Sequence, residues 1–347
     1  MRMILSLTQG CAAALVISAC GDEQNPTQYS SAPALVSTAT YTATDLGTLP
    51  GFTEASSATD INSAGQVVGW SMDATGIFHA FLRENGTMTD LGTLGGLSSM
   101  ARGINTSGQI VGWSQTEEGA GRAFLWENGV MKELGTLYGA SEAMDINQDG
   151  QVVGGSETRS GDAHAFRLKN RLPKDLKLQC GPQNRADAIN SSSQIVGWCE
   201  TLSGEDIGFL WDRDKGIDVG NLGGTQTRAR GINSQGQVVG TSGLSEGATH
   251  AFLWQRGTMT DVGTLGGDNS DAVAINDQAQ IVGLSQTGEL DGQEYHAFLW
   301  EGGVMTDLGT LGGTYSLARA ITPTGDQIVG ESWPSSGQVH ATLWTRQ

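Results

Sequence analysis

Asp261-Val-Gly-Thr-Leu-Gly-Gly267, Ala272-Val-Ala-Ile-Asn276, Gln280-Ile-Val-Gly-Leu-Ser285 and His296-Ala-Phe-Leu-Trp300 are four segments of one repeat, and the chain carries seven copies of it. The Asn that ends the second segment stands at Asn62, Asn105, Asn147, Asn190, Asn233 and Asn276, with Thr322 in its place in the last copy. The steps between them are 43, 42, 43, 43, 43 and 46 residues. A period of this length with four strand-like segments per copy is the signature of a propeller or another solenoid. Each segment alternates apolar and polar residues and is bounded by turn residues, the pattern of a short strand. The Ala-x-x-Ile-Asn segment is small and apolar, which suits an inner strand where units crowd an axis. Asn62-Ser-Ala-Gly65 and Asn105-Thr-Ser-Gly108 place Asn first and Gly fourth, as a type I turn closing a hairpin requires. Gln66-Val-Val-Gly69 is then the returning strand, Phe124-Leu-Trp126 belongs to a third, and Met131-Lys-Glu-Leu134 begins a fourth after the turn Glu127-Asn-Gly129. Four such strands make one propeller blade.

The two ends of the array carry a topological clue. The repeats open at Tyr41-Thr-Ala-Thr-Asp45, a lone fourth strand, and finish at His340-Ala-Thr-Leu-Trp344, a third strand without a fourth. The fold expected is therefore all-β: a seven-bladed β-propeller of four-stranded blades over residues 41–347. Its N-terminal strand completes the last blade and closes the ring, which removes the free edges of an open array.

The linked segments Asp-Leu-Gly-Thr-Leu-Gly-Gly, Ile-Asn-x-x-Gly-Gln-Val-Val-Gly and His-Ala-Phe-Leu-Trp resemble the HAF family of bacterial extracellular repeat proteins over residues 41–347. The resemblance implies an exported protein and brings no ligand or catalytic residues with it. The fourth copy departs furthest, with Asp206-Ile-Gly-Phe-Leu-Trp211 and Asp175-Leu-Lys-Leu178.

Residues 1–19 read as a lipoprotein signal peptide, with Arg2 at the start and an apolar run through Ala12–Ile17. Ile17-Ser18-Ala19-Cys20 resembles a lipobox, so Cys20 is the expected lipidation site and residues 20–40 a polar, flexible tether. Gly21 after the Cys favours the outer membrane of a Gram-negative host, with a periplasmic or an external position left open. The net charge of −18, without a basic stripe, argues against nucleic acid and leaves proteins, cations and neutral glycans as partners of a body expected to be monomeric. Cys180 and Cys199 fall in the same copy and are expected to form a disulfide in an oxidising compartment.

All five His occupy one repeat position, and the series Asp45, Asp90, Glu133, Asp175, Asp218, Asp261 and Asp307 is their expected partner in a structural network. Asp145-x-Asn147-x-Asp149-Gly150 has the oxygen spacing of the start of a calcium loop. The same turn recurs elsewhere without the extra acids, which favours a plain hairpin, and no other cofactor is expected. Trp333 is the one Trp out of register, on a loop where an aromatic ring stacks on a sugar or anchors a peptide. The loop between the second and third strands has seven residues in each copy except the sixth, where residues 286–295 make ten. Functional side chains concentrate on variable loops, so this looped face, with Glu289, Asp291 and Glu294, is the expected ligand surface. Arg102, Arg230 and Arg319 recur after the inner-strand Ala and are expected near the axis, binding a carboxylate or pairing with Asp187 and Asp60.

No nucleophile elbow, phosphate loop or zinc motif appears. The expected function is a non-catalytic binding or adhesion scaffold, lipid-anchored at the cell envelope, for a protein or glycan. The alternatives are a hydrolase or lyase acting on polysaccharide at the channel mouth and a scaffold subunit of outer-membrane assembly.

Overall fold

The computed structural model describes residues 40–170, 172–288, 294–335 and 337–347. The signal, Cys20, nearly all of the tether, Glu289 and Asp291 lie outside the described residues. Among those described, regular structure is entirely strand. The first unit is an antiparallel meander of β2 (Ala55–Ile61), β3 (Val67–Met72), β4 (Phe78–Glu84) and β5 (Thr87–Asp90). Later units repeat it, with first strands beginning at Gly95, Ser141, Asn184, Gly223, Gly266 and Gly312. The last unit supplies three strands of its own. β1 (Tyr41–Gly47) lies antiparallel against its third strand, His340–Arg346.

Val67 and Val68 in β3 are both buried although their side chains point to opposite faces. Each middle strand is therefore covered on two sides, by the unit before and the unit after. The core accordingly sits between units. Val68, Ala80 and Leu91 of the first pack with Ala101, Ile104, Ile110 and Phe124 of the second. Phe81, Phe124, Phe166, Phe252 and Phe298 are fully buried at five of these junctions, where each ring removes a large apolar surface from water.

Every inner strand carries a β-bulge directly after its Ala, as between Ala58 and Asp60 or Ala101 and Gly103. The Gly of Val-Val-Gly lies opposite it. A Cβ at Gly69 would stand 2.0 Å from the Ser57 carbonyl oxygen and 2.8 Å from the Phe81 ring, so only Gly fits there. The extra residue of the bulge is thrown out of the ladder, and it matters for the site.

Polar groups fasten neighbouring units at fixed repeat positions. The amide of Asn62 donates to the carbonyl of Asn105 at 3.0 Å, and each Asn in turn donates to the next as far as Thr322. The Ala80 N–H donates to Ser99 Oγ at 3.0 Å, and Ala123, Ala251 and Ala297 donate likewise to Ser141, Ser270 and Ser316. The Ala341 N–H makes the same bond to Ser56 of the first unit at 2.9 Å. Each His Nδ1 meets its expected acid, from His79–Asp90 at 2.7 Å to His340–Asp45 at 2.7 Å. Arg122 substitutes on Glu133 at 3.2 Å.

Cys180 and Cys199 are joined by a disulfide, with Cα atoms 6.2 Å apart. At the position of Cys199 the other units carry Ser, whose Oγ accepts from the incoming chain, as Ser71 does from Leu49 N–H at 3.1 Å. The disulfide therefore braces the same connection covalently.

Candidate functional site

The bulge residues Thr59, Arg102, Met144, Asp187, Arg230, Val273 and Arg319 line one cavity of about 270 Å³. The bulge re-aims each of them out of the ladder and toward the axis. Arg102, Arg230 and Arg319 are thus brought together, but their carboxylate partners differ from those expected. Arg102 Nε donates to Glu142 at 2.7 Å, and Arg319 Nη2 to Glu331 at 3.1 Å. Arg230 grips Asp271 with two bonds of 3.0 Å, Nε to Oδ1 and Nη2 to Oδ2. Asp187 pairs instead with Arg185 at 2.6 Å. Among the described residues Asp60 pairs with no Arg; both its oxygens accept backbone N–H groups, of Ile61 and of Ile104 in the next unit, each at 2.8 Å. Glu142 and Asp271 stand two residues before the bulge residue of the following unit, whereas Glu331 comes from the second strand of Arg319's own unit.

Burial, helped by the charge of Asp145, pushes the Asp60 carboxyl up to about 7. Burial likewise raises Asp145 and Asp187. The Asp187 side chain is 8 % exposed.

Asp145, Asn147 and Asp149 are not assembled into a ligand set. Asp145 gives its oxygens to the N–H groups of Ile146 and Ile189, at 2.7 and 2.8 Å. Asn147 Oδ1 accepts from Asp149 and Gln151 N–H at 3.1 and 3.0 Å. Only Asp149 stands out in solvent. These are the bonds of a hairpin turn and an inter-unit clasp. Among the described residues no group of three or more His, Cys, Asp or Glu converges as a metal site.

A second cavity, of about 400 Å³, lies between the fifth and sixth units and shares Arg230 with the first. Arg228 lines it, held by Asp206 at 2.6 Å and laid over Trp198 with its guanidinium carbon 4.5 Å from the ring centroid. Thr249, Asn269 and Tyr295 line it close to the starts of their strands, on the looped side. Of these groups only Arg230 is a sequence-picked ligand residue. Asp206 stands in the sequence only as the first residue of the divergent segment of the fourth copy. Arg228, Asp271 and Tyr295 gave no motif, and their signal lay in departures from the repeat.

Four of the large exposed apolar side chains among the described residues lie on the looped side. Tyr138 and Leu202 stand on connections, and Leu97 and Trp333 at the looped-side ends of strands Gly95–Ile104 and Gln327–Pro334, so Trp333 is on a strand and not on the expected loop. Leu202 is 93 % and Trp333 42 % exposed. The opposite face carries turns such as Asn62–Gly65, which expose no large apolar side chain, but at its outer turns Val130 and Leu172, in the position of Thr87, are 50 % and 73 % exposed. Trp333 packs its ring 5.6 Å from that of Tyr315, beside the Arg319–Glu331 pair. Glu294 is turned inward, accepting from Thr287 Oγ1 at 3.3 Å and lying 3.4 Å from His296 Nε2. Its carboxylate is thus engaged by Thr287 and His296.

No protein-family model and no curated protein matches the chain. Solved structures do resemble it. The β-propeller domain of the Trilobed protease from Pyrococcus furiosus, which has an open velcro topology, aligns at 10 % identity over 85 % of this chain and 97 % of that one, with a TM-score of 0.56. The WD40 β-propeller domain of Doa1 aligns at 15 % identity over 86 % and 96 %, with a TM-score of 0.53. The acylaminoacyl peptidase of Pyrococcus horikoshii aligns at 9 % identity over 84 % of this chain and 52 % of its own, with a TM-score of 0.52. The fold is a β-propeller. At these identities the likeness concerns fold alone.

Proposed function

We propose that the chain is a lipid-anchored envelope protein whose seven repeats close into a seven-bladed ring, and that it binds a protein or glycan through its looped face without catalysis. Closure is supported by the pairing of β1 with His340–Arg346 and by the Ala341–Ser56 bond, which repeats the fastening seen between other units. The HAF-type repeats and the Cys20 lipobox support export and a lipid tether at the outer membrane or cell surface. No described helix is long and apolar enough to cross a membrane.

One observation carries the binding role: exposed Leu97, Tyr138, Leu202 and Trp333 lie on the looped side, where Thr249 and Tyr295 at the starts of their strands line the 400 Å³ cavity. Apolar groups rimmed by fixed polar ones are how a surface gains by desolvation and still selects a partner. The ion pairs around Arg102, Arg230 and Arg319 contribute little to stability at such partly exposed positions. Their role is to hold guanidinium groups in one orientation.

Crosslinking of intact host cells tests the reading. A partner captured by the native protein should be lost from a Leu97→Ser/Tyr138→Ser/Trp333→Ala variant and kept by a Ser63→Ala/Ser107→Ala/Asp149→Ala variant of the turn face. The reverse pattern would sink the proposal.

A further inference from the structure

We infer that the cavity between the fifth and sixth units is a slot for a neutral pyranose ring, opened where Thr241 stands in place of a tryptophan. The inference deepens the looped-face reading and rests on it. The repeat supplies its own controls. The residue after the Val-Gly of the second strand is Trp70, Trp113 and Trp198 in the first, second and fourth units. There the indole fills the space against the neighbouring strands. Trp70 lies edge-on to Phe78 at 5.2 Å, a Cβ at Gly121 would come within 2.4 Å of Trp113 Nε1, and Trp198 lies under Arg228 of the fifth unit. In the third unit the residue is Gly155, and the side chain of Arg185 crosses the gap, its Cγ 3.3 Å from where a Cβ would stand.

The sixth and seventh units carry Leu284 and Glu331 there, Glu331 bonded to Arg319, and the fifth has neither an indole nor a crossing Arg. Thr241 turns its hydroxyl onto Asp271 of the sixth, and the space an indole would take is left open within the 400 Å³ cavity. That volume is in the range of small-molecule sites.

The lining decides the class of occupant. Gln226, Thr249, Asn269 and Asp271 bring amide, hydroxyl and carboxylate groups to a lining that is otherwise largely apolar, so the occupant needs both polar and apolar surface. The two guanidinium groups are matched by two carboxylates, Arg228 by Asp206 and Arg230 by Asp271, so the cavity is balanced in charge. An added ion would face its desolvation cost without a free counter-charge. A ring bearing several hydroxyls fits both conditions, since each hydroxyl donates and accepts, and the planar groups around it are already fixed in direction. Tyr295 and Leu284 supply an apolar flank for the C–H face of such a ring.

The test uses the intact chain, with saturation-transfer NMR and calorimetry against free glucose, galactose, mannose, their N-acetylated forms, glucuronate and glucosamine. At least one neutral sugar should bind in the millimolar range or tighter, with the charged pair at least about tenfold weaker. Thr241→Trp, which three other units tolerate, should leave the melting temperature nearly unchanged and weaken binding by at least about tenfold. Should that variant fold poorly, Asn269→Ala, which removes one amide without filling the slot, should weaken binding by about fivefold or more. Equal binding by native and substituted chains, preference for a charged sugar, or no binding at about 10 mM overturns the assignment. If cell-surface capture still depends on the looped face while sugars fail, this assignment alone falls; capture indifferent to that face removes the wider reading.

Discussion

A methyl group at Gly112 would lie 2.0 Å from the Met100 carbonyl oxygen and 2.9 Å from the Phe124 ring. Neither can retreat, since one is bulge backbone and the other a fully buried side chain. Gly112→Ala should therefore destabilise the protein by about 3 kcal/mol or more, read from urea unfolding. The sequence marked this Gly by repetition, but its cause was hidden, because a bulge is a relation between two strands. The same bulge explains why the axial residues were legible and their partners were not. Position after the Ala brings Arg102, Arg230 and Arg319 to one cavity, whereas Glu142, Asp271 and Glu331 reach them from elsewhere in the packing. Titration gives a second expectation. Asp60 keeps its proton in the folded chain up to about 7, against 3.8 for an ordinary Asp, so the folded state binds more protons between those values. Its contribution is full below 3.8 and is lost as the pH rises through 7. His250 and His296, raised by hydrogen bonds to Asp261 and Asp307, act in the same direction, and their contribution fades as the pH climbs above 6.5. The urea midpoint should fall between about pH 5 and pH 8, and Asp60→Asn should flatten the slope.

Strands and tight turns were the most readable elements. The bond from Gly65 N–H to the Asn62 carbonyl at 3.0 Å closes the hairpin that Asn and Gly announce. Connections on the looped face are shorter than counted. Met72 and Phe78 belong to the ladder, which leaves only residues 73–77, closed by Asp73 Oδ1 accepting from the N–H groups of Thr75 and Ile77. Alternation did not reveal those end residues because they pair through backbone, whatever their side chains. The fourth unit replaces a Ser–backbone bond by the Cys180–Cys199 disulfide, across a separation of 19 residues. Cys180→Ala/Cys199→Ser should lower stability by about 2–3 kcal/mol. The hydroxyl it places at 199 can restore the hydrogen bond of the other units, so the loss should be below that of Cys180→Ala/Cys199→Ala in the same unfolding assay.

Across the whole molecule the repeat makes architecture cheap to read and ligand chemistry hard to read. Seven similar units announce a propeller, whereas the cavity at Thr241 depends on a departure at a position that is Trp in three units and Gly155, Thr241, Leu284 or Glu331 in the others. The proposed seam between last and first units lacks an Asn rung, because Thr322 stands where an amide would donate, and it relies on β1, Ala341–Ser56 and His340–Asp45. Removing residues 41–47 should therefore expose the edge of His340–Arg346 and lower the melting temperature by more than about 10 °C, with faster amide exchange starting in the last unit. The binding role is tested most directly by hydrogen exchange on the full chain with and without envelope fragments from its host. The account predicts slowed exchange at Leu97, Tyr138, residues 201–205 and Trp333, with the turns at Asn62–Gly65 and Asn105–Gly108 unchanged. Slowed exchange confined to those turns would contradict it.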